Sequence, residues 1–218
     1  MKTPLSFQQL TVLAILVLLG LGIGSILRRS VPVGRDLGAN QTVASILNDR
    51  AVPSRSPPEP TLTLVVFTDY QCPACKLAEP AMAAAIAEDG HVRVVYRDWP
   101  IFGARSERAA RVAIAADRQG IYPKLHSCLM AERRLLDDAI LRECVVRSGG
   151  DWRRVQGDLQ AYAPEIEHQL SSTRRAAFGL GFQGTPAFLA GTVVALGVLS
   201  RSEFGRLLAE GRQAASVH

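Results

Sequence analysis

Lysine is nearly missing from this 218-residue chain. Only Lys2, Lys76 and Lys124 occur, against 22 arginines. The basic total of 25 exceeds the 20 acidic residues by a formal +5, and the arginines are scattered, with no run of five or more. Nucleic-acid binding asks for a concentrated basic face, so the charge reads as a solvated, mixed surface. Cysteine is scarce as well. Four in the chain are too few for a disulfide-built miniprotein. Aromatics stand at 6% and charged residues at 21%, while 48% of the chain is hydrophobic. That composition excludes global disorder, collagen and low-complexity classes and leaves an ordinary core. No internal repeat is visible.

One stretch lacks charge altogether. Leu10 to Leu27 carries none, between Lys2 and the pair Arg28-Arg29. Its eighteen residues would span about 27 Å as a helix, close to the roughly 30 Å hydrocarbon core. A cleaved secretory signal normally has an apolar stretch of about 7–15 residues and an A-x-A site. The run is longer and no such site follows, so residues 10–27 are expected to form an uncleaved transmembrane signal anchor behind a cytoplasmic segment at 1–9. The positive-inside rule points the other way, because Arg28, Arg29 and Arg35 would hold the body in the cytoplasm. Residues 28–60 hold five of the twelve prolines (Pro32, Pro53, Pro57, Pro58 and Pro60) and read as a tether, with a short helix near Val43 to Leu47.

The remaining 158 residues, 61–218, suffice for a single core. Leu62 to Phe67 is a short apolar run that suits a buried strand. Cys72-Pro-Ala-Cys75 follows, then an Ala-rich helix from Lys76 to Glu88 that stops at Gly90. Val92 to Tyr96 reads as a second strand and Arg105 to Arg118 as a helix. A helical block continues to about Leu180. After Gly184-Thr185-Pro186 come strands at Ala187–Leu189 and Val193–Leu196 and a last helix, Ser202–Ala214. The order predicts an α/β fold with helices inserted between two halves of a sheet.

A C-x-x-C that follows a strand and opens a helix has a chemical meaning. Unpaired N–H groups and the dipole at a helix N-terminus favour negative charge. They lower the first thiol's pKa, and the thiolate is the nucleophile. Pro73 suits the first helical turn. Cys72 is then the attacking residue, and Cys75, one turn on, resolves the mixed disulfide. A zinc half-site or an inert disulfide would use the same spacing, although structural zinc normally takes two such pairs. Cys128 and Cys144 lie in two helical stretches, Lys124–Arg134 and Asp138–Arg147, with a turn near Leu135-Leu136 and Asp137 as an N-cap. In an antiparallel hairpin both cysteines are equally far from the turn, which predicts a structural disulfide. Two small buried thiols are the alternative. Persistent disulfides belong outside the cytoplasm, and on that ground the cysteines overrule the flanking charges. His91, His126, His168 and His218 show no ligand spacing.

Phe67-Thr-Asp-Tyr-Gln-Cys-Pro-Ala-Cys75 resembles the active-site segment of DsbA-like thiol:disulfide oxidoreductases of the thioredoxin fold. Gly184-Thr-Pro-Ala-Phe188 is similar to that family's cis-proline loop, and Tyr96-Arg-Asp-Trp-Pro-Ile-Phe102 to the stretch after its second strand. Pro80 matches a proline that kinks the first helix. The resemblance covers about residues 61–213. It implies a thioredoxin domain at 61–218 with a helical insertion at about 105–180, and a cis Thr185-Pro186 pair that meets the substrate strand. It also implies exchange of disulfides with cysteine-containing secreted or envelope proteins, and the apolar run with the cysteines places the domain, by expectation, on a single-pass tether in a bacterial inner membrane, facing the periplasm or outside. The partner would be a quinone-linked membrane oxidase or, for a reductase or isomerase, an electron donor. No metal or organic cofactor is needed, since the cysteines carry the electrons. Two departures stand out. Val66 occupies the place of a buried acid common in the family, with Asp69, read as an exposed strand-end residue, the nearest substitute. Ala74 replaces the histidine of the strong oxidant, which implies a less oxidising couple. A dedicated reductant for metal-centre or cytochrome assembly, and a non-catalytic copper or zinc module built on the C-x-x-C, remain alternatives.

Overall fold

The structure is a computed structural model, and it describes residues 13, 16–19, 32–38 and 41–217. The chain divides into two units between Val33 and Gly34. In the first, Leu13 and residues 16–19 are helical. The rest of the expected anchor at 10–27 lies outside the described residues, among which no helix is long and apolar enough to cross a membrane.

The second unit is built on a six-stranded mixed sheet. Its strands are β1 (Arg35–Asp36), β2 (Ser54–Arg55), β3 (Leu62–Thr68), β4 (Val92–Asp98), β5 (Ala187–Ala190) and β6 (Val193–Leu196), in the order β1-β6-β5-β3-β4-β2. β3 and β4 run parallel with Val66 opposite Tyr96 and Thr68 opposite Asp98. β5 runs antiparallel to β3, with Phe188 opposite Val66. In β3 and β4 every residue but the second is buried. That explains their continuous apolar runs, because a strand covered on both faces has no polar side to alternate with.

One face of the sheet packs through Val65, Phe67, Val95 and Leu189 against α1 (Gln41–Leu47) and the Leu180–Phe182 segment. The other is covered by α2 (Pro73–Asp89) and α8 (Arg201–Val217), which pack on each other, with Phe188 edge-on to Phe204. α2 begins with Cys72 as N-cap and Pro73 in its first turn, and ends at Gly90 in the left-handed region. Between β4 and β5 lie five helices: α3 (Ala104–Asp117), α4 (Tyr122–Ala131), α5 (Asp138–Arg147), α6 (Trp152–Ala161) and α7 (Ala163–Gly179). α4 stops three residues short of the expected Arg134, because Glu132 turns to extended backbone. Asp137 caps α5 by accepting from Ile140 N–H. A disulfide joins Cys128 and Cys144 across this hairpin, with 5.7 Å between their Cα atoms.

The expected tether at 28–60 needs correction from Gly34 onward, since that stretch belongs to the compact unit. Val43 and Ile46, three apart on α1, are buried in the core cluster. β1 pairs with β6 and β2 with β4. Both open edges of the sheet are thereby covered by very short strands, an arrangement that blunts edge-to-edge association.

Candidate active site

Cys72 and Cys75 are free, buried thiols at the end of β3. The Cys72 backbone is extended, which lets its sulfur swing over the first turn of α2 and accept the Cys75 N–H at 3.4 Å. The same sulfur lies 3.3 Å from the Thr185 carbonyl oxygen, toward which the thiol donates. The Thr185–Pro186 peptide is cis. The structure therefore brings Cys72, Cys75, Thr185 and Pro186 to one point. Pro73 occupies the helix start and Ala74 adds no polar side chain there. Cys128 and Cys144 are bonded to each other in the inserted helices.

The two thiols are driven apart electrostatically. Cys72 is lowered to about 6, first by the hydrogen bond with Cys75 and further by Thr185 and the Ala74 and Cys75 backbone, against an opposing cost of burial. Cys75 is pushed up, because its proton is held toward the Cys72 sulfur and because it is buried. One sulfur is thus a thiolate near neutral pH and the other retains its proton, as an attacking and a resolving thiol require. Thr185 is among the causes that lower both thiols. Its hydroxyl oxygen is buried with no hydrogen-bond partner, so its proton is available to a thiolate.

Asp69 corrects the sequence reading. It is buried, and it is fully used. Its carboxylate accepts from Gln71 N–H (2.7 Å), Ser106 Oγ (2.7 Å), Ile101 N–H (2.6 Å) and Phe102 N–H (3.1 Å). Its carbonyl accepts from Cys72 N–H. It pins the loop after β4 against the redox turn, and its partners lie too far along the chain to be read from spacing. Trp99 is buried in the core, its N–H bonded to the Thr68 carbonyl and its ring edge-on to Phe178. A further buried chain of polar groups went unseen in the sequence. Tyr70 Oη donates to Tyr122 Oη at 3.1 Å, and Tyr122 Oη donates to the Asp98 carboxylate at 3.0 Å. His126 sits 3.2 Å from Tyr70 Oη and 3.3 Å from Glu79 Oε2. Among the described residues no group of three or more His, Cys, Asp or Glu is placed to hold a metal ion.

The DSBA-like thioredoxin domain family matches residues 63–208. A thioredoxin-like oxidoreductase from Silicibacter pomeroyi superposes with a TM-score of 0.74 at 32% identity, covering 80% of this chain and 99% of that one. A periplasmic thioredoxin-like protein from Salmonella enterica serovar Typhimurium gives 0.69 at 26%, covering 80% and 98%. Among curated proteins, the Na(+)/H(+) antiporter NhaA 1 of Salinispora arenicola is 34% identical over 141 residues, 62% of this chain and 21% of the antiporter. The chain spans no more than about a quarter of the curated relatives it matches.

Proposed function

Because the chain belongs to the DSBA-like thioredoxin domain family, whose members are thiol-disulfide oxidoreductases, we propose that Cys72 and Cys75 are its redox pair and exchange disulfides with secreted or envelope proteins. The observation that carries this reading is the Cys72 sulfur at the head of α2, lowered to about 6 and facing the Thr185 carbonyl beside a cis proline. Cys72 attacks or is attacked, a mixed disulfide forms, and Cys75 resolves it.

The surroundings suit a polypeptide substrate. On one side Ile101 and Phe102, hung from Asp69, are exposed; on the other Leu196 and Val198 flank Gly197, whose N–H bonds to the Pro186 carbonyl. Apolar residues at the rim favour an extended segment with apolar neighbours to its cysteine. The periplasmic description of the Salmonella relative and the disulfide in the inserted helices support an oxidising compartment. With the apolar run at 10–27 they favour a single-pass protein of the bacterial inner membrane with its redox domain outside. Its partner there is a quinone-linked oxidase or an electron donor, according to the direction of exchange.

The test is a titration of the full chain in glutathione buffers, with thiols trapped and counted by mass and Cys72→Ser as control. The pair is expected to titrate together, between about −120 and −180 mV, on the less oxidising side because Ala74 has no donor for the thiolate. A value near −270 mV would make the protein a reductant. A pair that does not titrate, or stays masked until metal is stripped, overturns the redox reading.

A further inference from the structure

Helix α2 carries two apolar stripes, and the fold buries one. Cys75, Ala78, Met82 and Ala85 recur at helical spacing and are buried. Pro73, Leu77, Pro80 and Ala83 form the second, and all four are exposed, Leu77 by 69%. They make one wall of a groove of about 780 Å³. Met130 and Ala131 of α4, with Leu135 beyond it at 65% exposed, make the other. That volume falls within the range of ligand clefts, about 300–1,000 Å³, and an exposed apolar strip edged by polar groups marks an interaction surface. Gln71 and Pro73 flank Cys72 in the chain and also line the groove, so it starts beside the reactive sulfur. It shares no residue with the rim at Ile101, Phe102, Leu196 and Val198. From Pro73 to Ala83 the helix rises about 15 Å, the reach of about four or five extended residues.

Positive charge edges the groove. Lys76, Arg133 and Arg134 line it. Lys76 Nζ donates to the Glu132 carbonyl oxygen at 2.5 Å, and among the described residues neither Lys76 nor Arg133 has an ion-pair partner. Arg134 is shared between Glu132 and Glu143. Glu79, the one acid among the described lining residues, faces His126 at 3.3 Å. Burial lowers the Lys76 ammonium below its usual value, against Glu132 and Asp69, and a carboxylate in the groove would favour its charged form. Resting on the redox reading above, we propose that this groove holds an acidic, apolar segment of the substrate polypeptide, next to the cysteine that reacts with Cys72. Apolar side chains of that segment cover Leu77 and Leu135, and its carboxylates meet Lys76 and Arg133. A basic segment would meet like charge there, and a purely polar one would leave both apolar walls uncovered. The groove thus selects among cysteines by the residues beside them.

The experiment uses the full chain in a non-ionic detergent, with Cys72 and Cys75 reduced, and single-cysteine peptides whose sulfur is bonded to thionitrobenzoate. Cys72 attacks the peptide sulfur. A bond forms between the two, the bond to thionitrobenzoate breaks, and the electron pair leaves on the coloured thiolate, which stopped flow records. The peptides differ only in the segment beside the cysteine, Leu-Glu-Leu-Glu or Leu-Lys-Leu-Lys. Each rate is divided by that of the mercaptoethanol adduct, which has no segment to bind. The acidic peptide is expected to react about tenfold faster than the basic one, with the gap closing in about 0.5 M salt. Arg133→Glu, an exposed position, should abolish the gap, and Leu77→Ser should slow both peptides. Equal rates in the wild type, or a gap that Arg133→Glu leaves untouched, would overturn the groove and leave the redox reading intact. Peptide rates that fall as the protein is concentrated would show a second copy of the chain in the groove and overturn it as well. If Cys72→Ser releases the coloured thiolate as fast as the wild type, both readings fall.

Discussion

Thr185 isolates how much one hydroxyl contributes to the chemistry at Cys72. Its oxygen is buried without a hydrogen-bond partner, and Thr185 is among the causes that lower both thiols. Valine has nearly the same shape and no proton to give. A hydrogen bond to a charged group is worth about 1.5–3 kcal/mol, and about 1.4 kcal/mol moves a titration tenfold. Thr185→Val is therefore expected to move the Cys72 thiolate titration from about 6 to about 7 or above, read by thiolate absorbance; an unmoved titration would leave the Cys75 thiol and the backbone N–H groups of α2 as the causes. The same lowered thiol links stability to pH. The folded value of about 6 lies below an unfolded value near 9, so the stabilisation of the reduced form is complete above about 9. It fades as pH falls from 9 through 6. Cys75, pushed up, keeps its proton throughout that window. Melting the reduced and oxidised chains side by side should show the reduced form losing ground as pH drops from about 8.5 to 5. A constant gap would contradict a stabilised thiolate.

At the scale of elements, α8 lies backbone to backbone against the turn after β5. A Cβ on Gly211 would stand 2.6 Å from the Ala190 carbonyl oxygen, and one on Gly191, at φ +55°, would stand 2.7 Å from the Gly211 carbonyl oxygen. Gly211→Ala should push α8 off the sheet at a cost of about 1–3 kcal/mol, measured as a lowered urea midpoint. An unchanged midpoint would mean the helix slides freely on β5. Nothing in the sequence marks this contact, since a glycine inside a helix reads only as a loss of helix propensity. What was legible were elements that carry their own signal. β3 and β4 are continuous apolar runs, α2 opens on Pro73 and closes on Gly90, and Asp137 caps α5. The redox turn was legible for the same reason, because strand, cysteines and helix are adjacent. Groups brought together only by folding were not. Asp69 reaches Ile101, Phe102 and Ser106, more than thirty residues on, and Tyr70, Glu79, Asp98, Tyr122 and His126 share no spacing.

For the redox domain as a whole, the stretch 34–60 matters most, since the prolines there suggested a tether and the fold uses it to close the sheet. Its elements are two strands of two residues and a helix of seven, too short to register as periodic patterns. Strand pairing and the burial of Val43 and Ile46 attach them, and one buried ion pair adds to that. Arg97 of β4 is 2% exposed and meets Asp49, after α1, at 2.7 Å. Its Nη1 reaches Ser172 Oγ at 3.3 Å, and its Nε has no hydrogen-bond partner. Burial lowers the guanidinium's pKa while Asp49 opposes that shift. Removing one member of a buried pair strands the other, at about 3–5 kcal/mol when both are enclosed. Asp49 reaches solvent, so Asp49→Ala should cost about 3 kcal/mol, near the low end. The double variant Asp49→Ala, Arg97→Met removes the stranded charge and should recover most of that loss. If the single variant is destabilised because the pair locks residues 34–55 onto β4, limited proteolysis should cut it there before the core melts and leave the double variant whole. Equal cleavage of both would show that Val43 and Ile46, rather than the ion pair, hold the segment down.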